Sequence, residues 1–127
     1  MSCVLLVDDH AATRQALALL LARDPGLRGL EVAEAGSLAE ARRCLLAAPP
    51  DLAVVDLGLP DGDGADLLAE LRGVRPGCGL LALAATQAET DRAAAAPGVL
   101  VLCKTSSLEA VLGAIRALAV GDRVPAP

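Results

Sequence analysis

Four charged residues, Asp8, Asp9, Asp56 and Lys104, each stand at the carboxyl end of a short apolar run. If these runs are parallel strands of one sheet, the four side chains converge on one edge of that sheet, where ligands of such folds bind. Three carboxylates held together repel one another, which costs stability unless another charge offsets the repulsion. Mg²⁺ would do so, since it prefers oxygen ligands and keeps several waters, leaving positions for a phosphate oxygen. A single aspartate after a strand would instead indicate ordinary solvated loop charge.

Asp56 is followed by a turn of sequence LGLPDGDG, residues 57–64. Proline and glycine make such a turn tight and rigid, so it could present the Asp56 carboxylate as a nucleophile toward phosphorus. Mg²⁺ would neutralise the transferred group, and Lys104 would pair with it as a point charge. The stretch 61–70 superficially resembles a calcium-binding loop, but Ala65 falls where an oxygen ligand is needed, which excludes that interpretation.

Five apolar runs predict the strands that position these residues: 3–7, 30–35, 52–55, 80–84 and 99–103. The first, third and fifth runs are nearly continuous, which is typical of strands buried on both faces of a parallel sheet. Glu31 and Glu34 interrupt the second run, which predicts an edge strand with one wetter face.

Helical patterns lie between the strands and after the last one. Two capping boxes predict helix starts, Ser37 with Glu40 and Ser106 with Glu109. Shorter helices are expected over 65–72 and near 88–96. The first helix is expected to end at Pro25-Gly26. One of its faces is traced at three- and four-residue spacing by Ala12, Ala16, Leu19, Leu20 and Arg23. Strand–helix alternation repeated five times predicts an α/β fold, a doubly wound five-stranded parallel sheet with helices on both faces.

The composition narrows the classes of function. A chain of 127 residues fits one domain, which we place at residues 1–121, with 122–127 as the start of a linker or an artificial chain end. A net charge of −5 and the absence of Phe, Tyr and Trp argue against nucleic-acid binding by this domain. No signal peptide or membrane span is visible, so we expect a cytoplasmic protein that binds no membrane. Its four dispersed cysteines are expected to be buried free thiols in a reducing compartment.

The motifs VDDH at 7–10, VVDLGLPDGDG at 54–64 and LCKT at 102–105 closely resemble the receiver domain of bacterial two-component response regulators. The phrasing VDDHxxxRQAL and KTSSLEAVLGAIRAL is most similar to the NarL/LuxR branch. The resemblance implies a flavodoxin-like receiver fold that relays a signal to an output domain, usually a helix-turn-helix DNA-binding domain outside this chain. It also implies a possible homodimer. No enzymatic activity is expected beyond self-phosphorylation and autodephosphorylation.

The resemblance also implies residue roles. Asp56 would accept a phosphoryl group from the phosphohistidine of a histidine kinase. Asp9, Asp56 and the backbone carbonyl of Gly58 would bind Mg²⁺ directly, with Asp8 acting through water. Lys104 would contact the phosphate. Thr86 could tune the hydrolysis of the phosphoryl group.

Two departures from the family pattern concern transmission of the signal. The family usually has Thr or Ser at the end of the fourth strand, where this chain has Ala84, and an aromatic residue three positions before the lysine, where it has Val101. The segment between Ala84 and Lys104 also looks about two residues shorter than usual. We therefore expect a phosphorylatable Asp56 with weakened or unconventional output coupling.

Several alternatives remain open. A pseudo-receiver, a constitutive interaction or dimerisation module, is favoured by Ala84 and Val101 but disfavoured by the intact acidic residues and Lys104. A haloacid-dehalogenase-type phosphatase would need its nucleophile on the first strand and a longer chain, and dispersed cysteines give little support to a redox protein. For the single histidine, His10, a general-base or metal-ligand role stands against the structural or surface role that we favour.

Overall fold

The structure, a computed structural model, describes residues 3–119. The sheet contains five strands: β1 Cys3–Val7, β2 Glu31–Ala35, β3 Leu52–Asp56, β4 Gly79–Ala84 and β5 Val99–Cys103. Five α-helices alternate with them: α1 Ala11–Arg23, α2 Leu38–Ala47, α3 Gly64–Val74, α4 Gln87–Ala94 and α5 Leu108–Ala119. A 3₁₀ turn, Pro25–Leu27, follows α1, and a two-stranded ribbon, Gly58–Leu59 with Gly62–Asp63, follows β3. The predicted linker at 122–127 lies outside the described residues.

The five strands are parallel and pair in the order β2-β1-β3-β4-β5. This confirms the predicted parallel sheet and places β2 at an edge, as the two glutamates indicated. The direction of the strand order changes at β1, which has β2 on one side and β3 on the other. Ligand crevices in open α/β sheets form at such a point, beyond the carboxyl ends of the strands. Here β1 leads into Asp8, and β3 ends on Asp56.

The core lies in two layers, one on each face of the sheet. Because successive side chains of a strand point to opposite faces, Leu5 and Val7 of β1 pack with α2, α3 and α4, whereas Val4 and Leu6 pack with α1 and α5. Both layers consist of aliphatic side chains and one buried cysteine, with no aromatic ring. The prediction of helices on both faces is therefore confirmed.

The face that the spacing traces on α1 is not the buried face of this helix. Leu17 and Leu21 are its buried residues, whereas Leu19 is 52% exposed and Ala12 is also exposed. The run ALALLLA at 16–22 is apolar at every position, so its periodicity does not choose one face. Packing against β1 and α5 makes that choice.

The prediction that the fifth apolar run is buried on both faces is also wrong. β5 forms the second edge of the sheet, and its residues are half-buried or exposed. β3 and β4 are the strands buried along their whole length. The four thiols are free, as predicted, but only Cys78 is buried: Cys103 on the edge strand β5 is exposed, and Cys3 and Cys44 are half-buried.

Helix caps follow the sequence closely but not fully. Ser37 caps α2 by accepting a hydrogen bond from the Glu40 N–H at 3.1 Å, as predicted. At α5 the cap is Ser107, which accepts from the Ala110 N–H at 3.1 Å, so the predicted Ser106 is one residue early. The two serines are adjacent, and the sequence pattern does not separate them.

Candidate functional site

The Asp56 side chain lies at the carboxyl end of β3 and is fully buried. Its backbone pairs with Leu83 of β4, and the Gly58 N–H donates to Asp56 Oδ1 at 3.0 Å. The turn after β3 thus folds back on the side chain that precedes it. One oxygen of the buried carboxylate is held in place, and the other is left for a charge partner.

That partner is Lys104, which follows β5, with β4 between it and β3. The Lys104 N–H donates to the Ala84 carbonyl at 2.8 Å, extending the pairing of β5 with β4. Lys104 Nζ lies 2.9 Å from Asp56 Oδ2. This is an ion-pair distance, but within residues 3–119 no donor meets Oδ2 with the geometry of a hydrogen bond. A buried carboxylate oxygen with that much capacity left can accept a further ligand.

The electrostatics of the pair set its ionisation. Burial raises the pKa of Asp56 above its ordinary value, the Lys104 ammonium and the Gly58 N–H lower it, and the charge of Asp8 raises it again, with a net increase. Asp56 in turn raises the pKa of Lys104. Lys104 therefore stays protonated, and the Asp56 carboxylate is less stable as an anion than a solvated one.

Asp8 and Asp9 come from the loop between β1 and α1. The Asp8 N–H donates to the Ala35 carbonyl at 3.0 Å, and Arg14 Nη1 donates to the Asp8 carbonyl at 2.7 Å. Arg14 Nε also donates to Glu34 at 2.9 Å, so this one guanidinium connects α1, β2 and the loop after β1. The loop carrying the two aspartates is therefore held by both α1 and β2.

The predicted site residues Asp8, Asp9 and Asp56 do come together. One ligand atom of each, together with a ring nitrogen of His10, lies within 4.8 Å of the others. Three carboxylates with Lys104 as the close ammonium leave net negative charge, and Asp56 Oδ2 is buried without a hydrogen bond from the described residues. This donor set fits a hard divalent cation, so the residues present suit the predicted metal.

Two glycines define the turn around Asp56. A Cβ at Gly64 would lie 2.7 Å from the Asp56 carbonyl oxygen and 2.8 Å from Leu57 Cα, so only glycine fits there without a shift. At Gly58 a Cβ would be 3.8 Å from Asp56 Oδ1, an ordinary contact. The N–H of Gly58 is used by Asp56. The role of its carbonyl as a metal ligand stays a prediction.

Asp61, in the same turn, has a role that the sequence did not show. Its carboxylate accepts hydrogen bonds from the Leu38 and Ala39 N–H groups at 2.8 and 3.0 Å. These are free N–H groups of the first turn of α2, and they lower the pKa of Asp61. The turn after β3 is therefore anchored to α2, which holds its geometry around Asp56.

Thr86 is the N-cap of α4. Its Oγ1 accepts from the Glu89 N–H at 3.1 Å, and Glu89 Oε1 accepts from the Ala85 N–H at 2.7 Å. This capping arrangement has the signature Thr-x-x-Glu and was readable from the sequence, but it was missed. Capping accounts for the position of Thr86, and its suggested effect on hydrolysis stays a prediction.

Ala84 and Val101, the two predicted departures from the family pattern, lie on the neighbouring strands β4 and β5. Ala84 is 3% exposed at the end of β4, and Val101 is half-buried in β5, opposite Ala82. An open groove of about 320 Å³ runs between α4 and β5, with Ala84, Thr86 and Val101 among its lining residues. Small side chains at these two positions leave the groove unfilled.

The comparisons with known proteins agree with this geometry. Residues 4–116 match the family profile described as the response regulator receiver domain. The chain belongs to this family. Its receiver domain shares 52% identity over 68 residues with the DNA-binding transcriptional activator DevR/DosR of Mycobacterium tuberculosis. That match covers 54% of this chain and 30% of the relative, so the matched segment spans about a third of the length of that protein.

Solved structures show the same fold. A LuxR-family two-component response regulator from Aurantimonas sp. SI85-9A1 superposes with a TM-score of 0.79 and 30% identity, covering 100% of this chain and 91% of that one. A response regulator from Burkholderia pseudomallei, solved with a phosphorylated aspartic acid, a calcium ion and citrate, gives a TM-score of 0.77 at 25% identity, covering 96% of this chain and 71% of that one. In the receiver domain described here, no helix within residues 3–119 has the length and apolar character needed to cross a membrane.

Proposed function

We propose that this receiver domain accepts a phosphoryl group on Asp56 from the phosphohistidine of a histidine kinase. The observation that carries the proposal is the buried Asp56 carboxylate, with Oδ2 2.9 Å from Lys104 Nζ and within reach of the Asp8 and Asp9 carboxylates. Packing alone does not explain a buried carboxylate beside an ammonium and an acidic cluster, and such groups gather at functional sites.

In this transfer, an oxygen of the Asp56 carboxylate attacks phosphorus. The bond from phosphorus to the kinase imidazole nitrogen breaks, and the imidazole leaves with the electron pair of that bond. Lys104 would pair with the phosphoryl oxygens, and the position of its Nζ beside the attacking carboxylate supports this role.

Mg²⁺, when bound, supplies positive charge to a transferring group that carries several negative oxygens. Asp9 and Asp56 would hold it directly and Asp8 through water, with the Gly58 carbonyl as a further ligand. The response regulator from Burkholderia pseudomallei, whose structure contains a phosphorylated aspartic acid and a calcium ion, supports this pairing of phosphate and divalent cation.

We also propose that the output is a DNA-binding domain of the NarL/LuxR type. Support comes from the relative named as a DNA-binding transcriptional activator and from the LuxR-family structure. The receiver then works in the cytoplasm. It is a phosphoacceptor that does not turn over a separate substrate. It signals through protein contacts, which include a homodimer. Four free thiols suit that reducing compartment.

A second candidate is a constitutive interaction module that no longer switches. The groove left by Ala84 and Val101 favours it, because a hydroxyl at position 84 and an aromatic ring at position 101 are both missing from the surface between α4 and β5. The two candidates differ at Asp56: the first requires its phosphorylation, and the second does not.

The deciding experiment is intact mass measurement after incubation with acetyl phosphate, with Mg²⁺ or with EDTA. The native chain should gain one phosphoryl group with Mg²⁺ only, and Asp56→Asn should gain none. Asp66→Asn is a matched control, because it alters a carboxylate of α3 that is not part of the cluster. If the native chain remains unmodified while another receiver domain is phosphorylated under the same conditions, the constitutive module is the better account.

A further inference from the structure

His10 faces the acidic cluster of Asp8, Asp9 and Asp56. Its Nδ1 lies 3.3 Å from Asp9 Oδ1 and 3.4 Å from Asp8 Oδ1, while the side chain as a whole is 63% exposed. One ring nitrogen therefore points at the two carboxylates, although most of the ring is open to water. The proposed phosphoryl transfer uses no histidine of this chain, so this contact needs its own explanation.

Backbone hydrogen bonds fix the position of the His10 main chain, from which the imidazole extends. The His10 N–H donates to Asp8 Oδ1 at 2.8 Å, and the His10 carbonyl accepts from the Arg14 N–H at 3.0 Å. His10 is the N-cap residue of α1, but its side chain makes no capping hydrogen bond. The position of His10 at the start of α1 thus brings the imidazole to the cluster, and the imidazole does not cap that helix.

The distances do not match a plain hydrogen bond. An N–H to oxygen hydrogen bond spans about 2.7 to 3.2 Å, and both separations from Nδ1 are longer. Ligand atoms that share one tetrahedral ion at about 2.0 to 2.2 Å lie roughly 3.3 to 3.6 Å apart. The spacing of Nδ1 from the two carboxylate oxygens fits neighbouring ligands of one ion, and the whole cluster, whose ligand atoms lie within 4.8 Å of one another, would contract around that ion.

A further observation indicates a ligand at this place. Asp56 is fully buried, and its Oδ2 receives no hydrogen bond from residues 3–119 although it belongs to the same cluster. Lys104 provides charge at 2.9 Å from one side. A cation bound among the other carboxylates would satisfy the remaining capacity of this oxygen.

Resting on the metal site of the proposed function, we propose that His10 Nδ1 is a direct ligand when this site holds a borderline transition-metal ion such as Zn²⁺. Imidazole suits Zn²⁺ and Ni²⁺, whereas Mg²⁺ takes oxygen ligands. With Mg²⁺ the ring stays beside the carboxylates, and with Zn²⁺ it joins them in the coordination shell. The site therefore combines nitrogen and oxygen donors and binds a wider range of divalent cations than carboxylates alone would.

The single histidine makes a direct test possible. Its ring nitrogens give one set of ¹⁵N signals, measured on the whole chain during titration with Zn²⁺ and, separately, with Mg²⁺. The Cys103→Ser background removes the exposed thiol as a competing Zn²⁺ ligand. Coordination should move the Nδ1 resonance with Zn²⁺ and leave it nearly in place with Mg²⁺. A Zn²⁺ titration that reaches saturation without moving Nδ1 would overturn the proposal.

Affinities measured by calorimetry give a second readout. In the same background, His10→Gln should weaken Zn²⁺ binding by more than the roughly 10- to 100-fold that loss of a supporting contact costs, and by much more than it weakens Mg²⁺ binding. Asp9→Asn should weaken the binding of both ions. An equal loss for both ions in His10→Gln would make His10 a partner of the carboxylates and overturn its role as a ligand. Neither measurement involves phosphorylation, so its failure is distinct from failure of the proposed function.

Discussion

Lys104 Nζ lies 2.9 Å from Asp56 Oδ2, although one residue follows β5 and the other ends β3. The ammonium reaches past the end of β4, the strand between β3 and β5, to make this pair. Lys104 is also held through its own N–H by the Ala84 carbonyl. The pair therefore spans three strands and depends on the register of β5 with β4.

Replacing Lys104 tests whether its ammonium group speeds the phosphorylation of Asp56. Lys104→Met should slow phosphorylation by acetyl phosphate, because no ammonium then meets the phosphoryl oxygens; loss of one such stabilising group typically costs roughly 100-fold. The rate is measured by intact mass over time with saturating Mg²⁺. Because Lys104 is the only lysine in the sequence, the matched control removes the charge of an exposed arginine instead, Arg23→Met at the end of α1. An unchanged rate in Lys104→Met would remove the lysine from the proposed transfer.

Asp24 and Arg116 provide a pH test away from the site. Arg116 Nε donates to Asp24 Oδ2 at 2.7 Å, and this hydrogen bond, with the Gly26 N–H, lowers the pKa of Asp24 below its ordinary value of 3.8. The stabilisation is therefore fully present above the ordinary pKa and is lost as the pH falls through the lower, folded-state pKa. Arg116→Met should destabilise the domain at neutral pH, and the difference from the native chain should shrink as the pH falls below the ordinary pKa of Asp24.

The measurement is the free energy of unfolding in urea, followed by circular dichroism because the chain has no Trp, Tyr or Phe for fluorescence. A difference between the two chains that stayed constant from neutral pH to the acid range would contradict the assignment of this hydrogen bond.

Gly64 and Gly113 should respond oppositely to alanine. At Gly64 the added Cβ meets backbone atoms of residues 56 and 57 at 2.7 and 2.8 Å, so Gly64→Ala should lose about 1 to 3 kcal/mol of unfolding free energy. At Gly113, inside α5, a Cβ meets nothing within 4 Å, so Gly113→Ala should gain about 0.5 to 1 kcal/mol. Urea denaturation of both variants checks the prediction, which equal effects of the same sign would contradict.

Thr86 can be tested for its two suggested roles separately. Thr86→Ala removes the N-cap of α4 and should cost about 1 kcal/mol of stability, whereas Thr86→Asn keeps a good capping side chain and should cost little. If Thr86 also tunes hydrolysis, both variants should change the lifetime of phosphorylated Asp56, measured by mass. An altered lifetime in the alanine variant alone would instead trace the effect to the loss of the cap.

The sequence predicted the strands to within one residue because each apolar run is bounded on at least one side by a charged residue or a glycine. It did not predict that β5 is an edge strand, because an apolar run gives the same sequence pattern on an edge strand as on a central, buried strand. The sequence pattern did not identify the buried face of α1, because leucines occupy several faces of this helix. The acidic residues and Lys104 were found through their places at strand ends, whereas the approach of His10 to Asp8 and Asp9 depends on the ring orientation, which spacing does not specify.

The output coupling of the domain can be tested by restoring the two side chains that the family usually carries. Beryllofluoride with Mg²⁺ mimics the phosphoryl group, and amide NMR shifts report how far its effect spreads. In the native chain we expect shifts near Asp56 and Lys104 that fade before β5, because Ala84 has no hydroxyl to draw toward the phosphate and Val101 has no ring to rotate.

The double variant Ala84→Thr and Val101→Tyr supplies both, and the open groove of about 320 Å³ between α4 and β5 gives the ring space. Its shifts should extend into α4 and β5. The single variant Val101→Tyr is the control, because a ring without the hydroxyl at position 84 has no link to the phosphate. Shifts that already reach α4 and β5 in the native chain would show that signal transmission in this domain needs neither side chain.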